Sequence, residues 1–206
     1  PFFLQQDLGV SDPIAVRKWT GIVASAAGFT MAVFSPIWGA VADRYGRKLM
    51  VMRSMYGAAL ILILMAFARR PEHLVLLRFI QGMLSGTLTA NMVLVSSMTP
   101  KERSGHALGL VLAAAHAGNT IGPAIGGVIA DHIGFRWSFV VGASFLCGAG
   151  TLIHFFTEEK RPEAGPRPPF RFGDYGTLLA ISAYVVILAA MFLTTFSMAL
   201  IARSVP

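Results

Sequence analysis

The sequence predicts an all-α membrane protein with about six membrane-spanning helices. Hydrophobic residues make up 55% of the 206 residues and charged residues 13%, whereas a soluble domain carries about 25% charged residues. Long stretches also lack charge altogether, since residues 19–42 and residues 54–68 contain no Asp, Glu, Lys or Arg. Because a bilayer-spanning helix needs roughly 20 mostly apolar residues, stretches of this kind indicate membrane-spanning helices.

The net charge of +7 also fits a protein that binds nucleic acid. The bases, however, lie in short loops between apolar stretches, as membrane topology requires. We therefore exclude nucleic acid as a partner and expect membrane lipid around the chain. Residues 1–18 are too polar and too short to span, so we expect a loop or interfacial segment there. The chain opens with Pro1 rather than Met, and we expect it to be a piece of a longer protein.

The predicted elements follow one another with turn residues between them. Asp12-Pro13 marks a turn before the first span, and Pro36 should bend that span near its far end. A longer stretch at residues 157–173 is charged and rich in Pro and Gly, which makes it the best candidate for a domain boundary. The six predicted spans are residues 19–41, 49–67, 74–98, 106–133, 137–156 and 175–202.

Lysine and arginine are distributed unequally between the two sides of this predicted topology. Ten bases lie on one side and six on the other, and the positive-inside rule places the richer side in the cytoplasm. Both ends of the chain then lie outside. An external start without a signal peptide is awkward, and we expect one further helix upstream that enters from the cytoplasm. The richer side holds Arg44, Arg47, Lys48, Arg53, Lys101, Arg103, Lys160, Arg161, Arg167 and Arg171, and the other side holds Arg17, Lys18, Arg69, Arg70, Arg136 and Arg203.

A short polar stretch, residues 39–48, separates the first two spans and forces them into an antiparallel hairpin. Its bases suit a cytoplasmic loop and the carboxyl end of a helix dipole. Asp43 lies at the unfavourable end of that dipole, so it needs a partner, either a nearby arginine or the amino end of another helix. Gly46 permits a left-handed turn, and Gly39 allows a neighbouring helix to approach closely.

The pattern Gly-x-x-x-Asp-Arg-x-Gly-Arg-Lys resembles the signature loop between helices 2 and 3 of the major facilitator superfamily of transporters. The resemblance implies that the loop makes a charge-relay contact between the two halves of the transporter and latches the cytoplasmic gate in the outward-facing state. Val41 stands where the family pattern favours leucine. The residues that the resemblance assigns to this conformational switch are Gly39, Asp43, Arg44, Gly46, Arg47 and Lys48.

Four polar residues form one stripe along the predicted third span. Arg78, Gln81, Ser85 and Thr89 lie within about 80° of arc on a helix, and such a stripe faces protein or water rather than lipid. An Arg78 that snorkels towards the outer loop is the alternative. The spacing resembles the helix 4 motif of the family, which implies a role in proton transfer. Because an arginine releases no proton near neutral pH, Arg78 would lower or gate the pKa of a carboxylate, or hold an anionic group.

Glycines recur at every fourth position along the predicted fourth span. Gly118, Gly122 and Gly126 make a smooth surface for close helix packing, and Pro123 bends the helix. Packing of small residues alone would explain the glycines. The run that includes Gly-Pro-x-x-Gly-Gly, ending at Gly127, resembles the helix 5 motif associated with proton-coupled antiporters, and this implies export rather than uptake.

Few other residues indicate a solute site. His116, Asn119, Tyr184 and Met191 are weak candidates for lining a substrate cavity, because each is more often a packed residue. The sequence has no cluster with metal-ligand spacing, no nucleophile elbow and no phosphate-binding loop. We therefore expect no enzyme, no metal and no cofactor. The resemblance to proton-coupled antiporters implies the proton gradient as the energy source.

The six spans resemble helices 2 to 7 of a twelve-helix transporter, most closely of the drug:proton antiporter branch. Residues 1–156 would form an N-terminal bundle that lacks its first helix, residues 157–173 the cytoplasmic linker between halves, and residues 174–206 the first helix of the C-terminal bundle. The resemblance also implies an integral protein of the bacterial inner membrane that exports hydrophobic or amphiphilic drugs. Transport would proceed by proton-coupled antiport and alternating access.

Two other functions stay open on the sequence. One is a sugar or small-metabolite symporter of the same superfamily, and the other is a non-transporting membrane scaffold or sensor. The mid-membrane parts of the predicted spans hold no Asp or Glu. We therefore expect the proton carrier in the missing helix 1 or in the missing C-terminal helices, which would be partners of this chain.

Overall fold

A computed structural model describes residues 2–84, residues 87–158 and Ala190 of the chain. Over this part the chain is helical and contains no strand, which confirms the all-α prediction. In chain order, the helices are α1 (Phe2–Gln6), α2 (Pro13–Tyr45), α3 (Arg47–Ala66), α4 (Pro71–Leu84), α5 (Thr87–Met98), a 3-10 turn (Lys101–Arg103), α6 (Ser104–Ile133) and α7 (Phe135–Phe156).

Four of these helices are long and apolar enough to cross a membrane: Pro13–Ala42, Arg47–Ala66, Lys101–Ile133 with its leading 3-10 turn, and Phe135–Phe156. Twenty residues at about 1.5 Å rise give roughly 30 Å, the thickness of the hydrocarbon core. The predicted third span is described as α4 and α5, on either side of residues 85–86. The predicted sixth span lies outside the described residues, as does most of the predicted linker, so the domain division stays a prediction.

The first long helix begins at Pro13, six residues earlier than the predicted start of the span. The Asp12 carboxylate accepts hydrogen bonds from the backbone N–H groups of Ile14 (3.0 Å) and Ala15 (3.2 Å). These bonds satisfy N–H groups that have no partner within the helix, and proline is favoured at the first helical position. The turn signal at Asp12-Pro13 was therefore right, and the start placed at residue 19 was wrong.

The segment before Asp12 is packed and partly helical, so the loop predicted for residues 1–18 is wrong, whereas the interfacial location stays a prediction. Phe3 and Leu4 of α1 are buried in a cluster with residues of α3 and α4 that includes Met65 and Leu74. The Phe3 ring meets the Phe139 ring edge-on, with 5.2 Å between centroids. The hydrophobic stretch at the start of the chain is therefore part of the core.

Two helical hairpins turn at a single glycine each. Gly46 joins α2 to α3 with φ 105° and ψ 147°, and Gly134 joins α6 to α7 with φ 101° and ψ 155°. Positive φ with such ψ is a conformation that only glycine adopts at little cost. The positive φ of Gly46 was expected, but its ψ lies outside the left-handed helical region. Residues 39–45, predicted as part of a polar loop, continue α2 instead.

These two glycines define the ends of the bundle. At the Gly46 end lie the carboxyl ends of α2, α5 and α7, and a second cluster of buried residues, Val51, Met55 and Leu94, packs near it. At the Gly134 end lie the amino ends of α2, α4 and α7, together with α1. We refer to these as the Gly46 end and the Gly134 end.

Helices α2 and α4 cross very closely. The buried Thr30 hydroxyl lies 3.0 Å from the carbonyl oxygen of Phe79, and the Trp38 indole N–H donates to the carbonyl of Met83 at 2.6 Å. A Cβ on Gly82 would overlap the Thr30 side chain and the neighbouring α2 backbone. Glycine at this position therefore allows the two backbones to meet, as small residues do in membrane bundles.

Helices α3 and α7 pack antiparallel, and each caps the other. The Lys48 ammonium, in the first turn of α3, donates to the carbonyl of His154 in the last turn of α7 (2.7 Å). At the opposite end Arg136, in the first turn of α7, donates to the carbonyls of Ala66 (3.0 Å) and Ala68 (3.3 Å). Last-turn carbonyls lack helical donors, so these cations satisfy them and favour the negative ends of the helix dipoles.

We expect Gly82→Ala to destabilise the bundle, because the added methyl group meets the Thr30 hydroxyl and the Ala27 carbonyl, which is backbone. Overpacking of this kind costs about 1–3 kcal/mol. The matched control is Gly109→Ala, whose Cβ would meet no atom within 4 Å. Thermal melting of the detergent-solubilised full-length protein should show a lower Tm for Gly82→Ala alone. Equal melting temperatures for the two variants would contradict the close crossing.

We expect Arg136→Gln to loosen the Gly134 end, since the guanidinium also donates to the Asp7 carboxylate (3.2 Å). The partial exposure of this group limits the loss to on the order of 1–2 kcal/mol. Arg69→Gln, an exposed arginine at the same end, is the control. Hydrogen exchange should increase in α1 and at the carboxyl end of α3 for Arg136→Gln only. Unchanged exchange there would show that the capping bonds contribute nothing.

Candidate functional site

The structure joins two of the four residues in the predicted polar stripe. Arg78 Nη1 donates to Gln81 Oε1 at 3.0 Å on α4. The guanidinium is thereby held by a side chain one turn further from the amino end of α4. Ser85 lies outside the described residues, and Thr89 belongs to α5 but its side chain is not described.

The face of α4 that carries Arg78 is a packed face. Leu74 and Gly82, one turn before and one turn after Arg78, are both buried, whereas Leu76 and Phe79 point outwards with 59% and 41% of their surfaces exposed. Arg78 itself is half-buried. Because a charged group in a membrane interior is expensive, an arginine on this face requires polar surroundings, and Gln81 supplies part of them.

The residues of the 39–48 stretch are divided between two helices. Gly39 and Asp43 belong to α2, with Asp43 in its last turn, and Arg47 begins α3. No atom lies within 4 Å of where a Cβ on Gly39 would stand, so close approach of a helix there stays a prediction. The side chain of Asp43 is not described, and its partner also stays a prediction.

The three bases of this stretch make three different contacts. Arg44 stacks over the ring of the adjacent Tyr45, 5.5 Å from its centroid. Arg47 Nη1 lies 3.5 Å from the carbonyl oxygen of Val93 in α5, the limit of a hydrogen bond. Lys48 caps α7. The stretch therefore fastens α5 and α7 to the hairpin through backbone carbonyls.

The glycine motif lies on an open face of α6. At Gly118, Gly122, Gly126 and Gly127, no atom of another described element lies within 4 Å of the position of a Cβ. Close packing at these glycines stays a prediction, because no described helix covers them. Pro123 lies inside α6 and has no N–H, so it leaves one backbone carbonyl of the preceding turn without its helical donor.

The weak cavity candidates are placed only in part. His116 and Asn119 are exposed on α6, and the His116 carbonyl accepts a hydrogen bond from the Thr120 hydroxyl at 3.0 Å. Tyr184 and Met191 lie outside the described residues. The structure brings neither His116 nor Asn119 to the Arg78–Gln81 pair, which lies on another helix.

A stacked pair between α2 and α3 was missed by the sequence reasoning. The Arg53 guanidinium carbon lies 3.5 Å from the centroid of the Trp38 ring. Its Nε and Nη1 atoms are buried and have no hydrogen-bond partner in the described part of the chain. Trp38 and Arg53 lie at nearly equal distances along the chain from Gly46, so a hairpin turning there faces them towards each other. That equal spacing was the signal available in the sequence.

Acidic residues of the described chain lie towards helix ends rather than in the middles of the spans. Within residues 2–84 and 87–158, no group of three or more His, Cys, Asp or Glu side chains could hold a metal ion. A carboxylate that could carry a proton across the bundle is therefore not among the described mid-helix residues. The acidic residues of this part of the chain are Asp7, Asp12, Asp43, Glu72, Glu102, Asp131 and Glu158.

Several apolar helices of spanning length, folded into tight hairpins and carrying polar groups on packed faces, define an integral multi-pass membrane protein. Within this class, one particular family matches the chain. The model of the Major Facilitator Superfamily matches residues 1–206. The chain therefore belongs to the Major Facilitator Superfamily.

Several curated relatives of this chain carry the same name. The chain is 38% identical over 160 residues to the multidrug resistance protein MdtG of Citrobacter koseri, which covers 78% of the chain and 39% of that relative. It is 37% identical over 159 residues to MdtG of Salmonella arizonae and of Salmonella newport, covering 77% of the chain and 39% of each relative. The chain thus spans about two-fifths of the length of these relatives.

We expect Trp38 and Arg53 to stabilise each other through the cation–π contact. A double-mutant cycle with Trp38→Leu and Arg53→Met should give a coupling free energy of about 0.5–2 kcal/mol from thermal melting. The matched cycle uses Tyr45→Leu and Arg44→Met, where the cation is further from the ring and Tyr45 is 55% exposed. It should give a smaller value. Additive effects of Trp38→Leu and Arg53→Met would contradict the contact.

Proposed function

We propose that this chain is part of a secondary transporter that exports hydrophobic or amphiphilic drugs by proton-coupled antiport. The observation that carries the proposal is the 37–38% identity, over more than three-quarters of the chain, to proteins named for multidrug resistance. The glycine-proline run on α6 supports export, because it resembles the motif of proton-coupled antiporters. The protein would act in the bacterial cytoplasmic membrane, with lipid, drug and proton as its partners.

In this proposal α2 to α7 move as one body against a second bundle. The one-residue turns leave each hairpin little freedom, and the carbonyl caps tie α3 to α7 at both ends. A bundle of this stiffness suits alternating access, in which one half rocks against the other around a central site. Proton binding would favour one state and drug binding the other, each in proportion to its differential affinity for the two states.

The Gly46 end is proposed to face the cytoplasm. The described residues alone do not decide this, because five bases lie near each end besides Arg53. The asymmetry comes from the basic residues within 157–173, which the predicted topology assigns to the same side as the Gly46 end. The bases near the Gly46 end are Arg44, Arg47, Lys48, Lys101 and Arg103, and those near the Gly134 end are Arg17, Lys18, Arg69, Arg70 and Arg136.

The Arg78–Gln81 pair is proposed to act on a proton-carrying carboxylate. The guanidinium stays charged at all working pH values, so it stabilises the ionised form of an acid that approaches it. The acid would come from helix 1 or from the second half of the transporter. Proton entry is driven by the membrane gradient, in which one charge crossing 100 mV is worth about 2.3 kcal/mol.

The open face of α6 is proposed to meet the rest of the transporter. Its glycines would allow a neighbouring helix to approach closely, and Pro123 would shape the contact. His116 and Asn119 project from the same helix and would line the solute path together with Tyr184 and Met191. In the same arrangement Asp43 would latch the cytoplasmic gate, together with the glycines and bases of residues 39–48.

Drug efflux in energised everted vesicles of the full-length protein tests this function. We expect drug transport that stops when an uncoupler collapses the proton gradient, and Arg78→Gln should abolish it while Arg78→Lys, which keeps the charge, retains part of it. Arg70→Gln, an exposed arginine before the same helix, should transport normally. In everted vesicles export appears as accumulation of drug in the lumen. Gradient-driven accumulation in right-side-out vesicles instead, transport that survives the uncoupler, or full activity of Arg78→Gln would each overturn the proposal.

A further inference from the structure

We infer that Asp131, in the last turn of α6, is a second conformational switch that closes the bundle at the Gly134 end. It would be the counterpart of the switch proposed for Asp43 at the Gly46 end, so the inference rests on the proposed function. Three independent features relate the two positions, and one feature of Asp131 itself indicates a missing partner.

The first feature is a repeat in the sequence. Residues 39–46 read Gly-Ala-Val-Ala-Asp-Arg-Tyr-Gly, and residues 127–134 read Gly-Val-Ile-Ala-Asp-His-Ile-Gly. Both glycines, the alanine and the aspartate recur at the same spacing, and a Val–Ile pair occupies a further position. Asp43 and Asp131 therefore stand at the same place relative to the turn that follows.

The second feature is the backbone at each turn. The φ and ψ angles of Gly46 and Gly134 agree within a few degrees, at 105°/147° and 101°/155°. In each turn the glycine N–H donates at 3.0 Å to the alanine carbonyl four residues earlier, Ala42 or Ala130. The two aspartates therefore share one local geometry, each following the alanine that receives this bond.

The third feature is the contact made after each turn. The residue two positions beyond the glycine is a base, Lys48 or Arg136, and in each case it caps the last turn of the partner helix. Helices α2–α3 and α6–α7 are thus two copies of one hairpin, turned in opposite directions so that one glycine lies at each end. Inverted repeats of this kind recur in transporters, and they place equivalent groups at the two faces of a membrane.

Asp131 is an exposed acid at a helix end where a positively charged partner from outside the described chain would stabilise it. It is exposed, and within the described chain it makes no hydrogen bond or ion pair. It lies at the negative end of the α6 dipole, where a carboxylate is unfavourable unless positive charge approaches it. Ala130 before it is buried, whereas Asp131, His132 and Ile133 are exposed, so the carboxylate lies on the side of the last turn that the described bundle leaves uncovered.

The occupant is therefore the second bundle of the transporter, through a basic side chain or the amino end of one of its helices. This contact forms when the Gly134 end is closed and breaks when that end opens. A neutral residue at Asp131 destabilises the closed state at the Gly134 end, so the population shifts towards the state open there. Loss of charge at Asp43 shifts the population in the opposite direction.

Cysteine labelling in the full-length protein tests the assignment. Val128→Cys reports the Gly134 end of α6 and Leu110→Cys the Gly46 end, since each native side chain is 60% exposed; Cys147→Ser removes the background thiol. With a water-soluble maleimide on the full-length protein in nanodiscs, where both faces are accessible, Asp131→Asn should raise the labelling rate at position 128 and lower it at position 110, by about two- to fivefold. Asp43→Asn should do the reverse.

The controls separate a switch from a general disturbance. Glu72→Gln removes an exposed acid at the same end and should leave both rates unchanged. If Asp131→Asn folds poorly, Asp131→Ser replaces it and should give the same two shifts. Unchanged rates in both neutral variants, or a shift in the same direction as Asp43→Asn, would overturn the inference. Labelling needs neither drug nor gradient, so opposite shifts without efflux would refute the export proposal and keep the switch.

Discussion

Each of the two long hairpins depends on a single glycine, whose backbone conformation other residues adopt only under strain. Gly46 and Gly134 each end one spanning helix and begin the next without an intervening loop. With so short a turn, the register of each hairpin is fixed, and the residues near the glycine on one helix face fixed residues on the other. The stacking of Arg53 on Trp38 is one consequence. The placement of the capping bases in the first turns of α3 and α7 is another.

Backbone carbonyls receive several of the cations that tie the described helices together. Lys48, Arg47 and Arg136 each reach a carbonyl of a neighbouring helix. The carbonyls of His154 and Ala66, which Lys48 and Arg136 reach, lie at helix ends and have no helical donor, and in a lipid environment an unsatisfied carbonyl is costly. A cation supplied by the neighbouring helix therefore satisfies the backbone and fastens two helices at once. This arrangement makes the ends of the bundle stiff and suits a body that rocks as a unit.

The fold class followed from the sequence because spanning length and missing charge are properties of whole segments. The Arg78–Gln81 contact was also accessible, since two residues three apart on one helix meet whatever the neighbours do. The Trp38–Arg53 stack depends on how two helices rotate about their axes, and α2 and α3 are apolar around most of their surfaces, so no stripe fixed that rotation. Burial of α1 was missed because its partners lie far away in the chain. The turn predicted at residues 39–48 was too long, because polar residues are typical of loops whereas residues 39–45 belong to α2.

The proposed mechanism requires one stiff bundle whose two ends open in alternation. Distances between spin labels in the full-length protein, measured by pulsed electron paramagnetic resonance, test this most directly. One label pair spans α3 and α7 within the bundle, and two further pairs join the bundle to the second half, one at each end. Changing pH should leave the first distance unchanged and move the other two in opposite directions. A change within the bundle, or both ends opening together, would contradict the account.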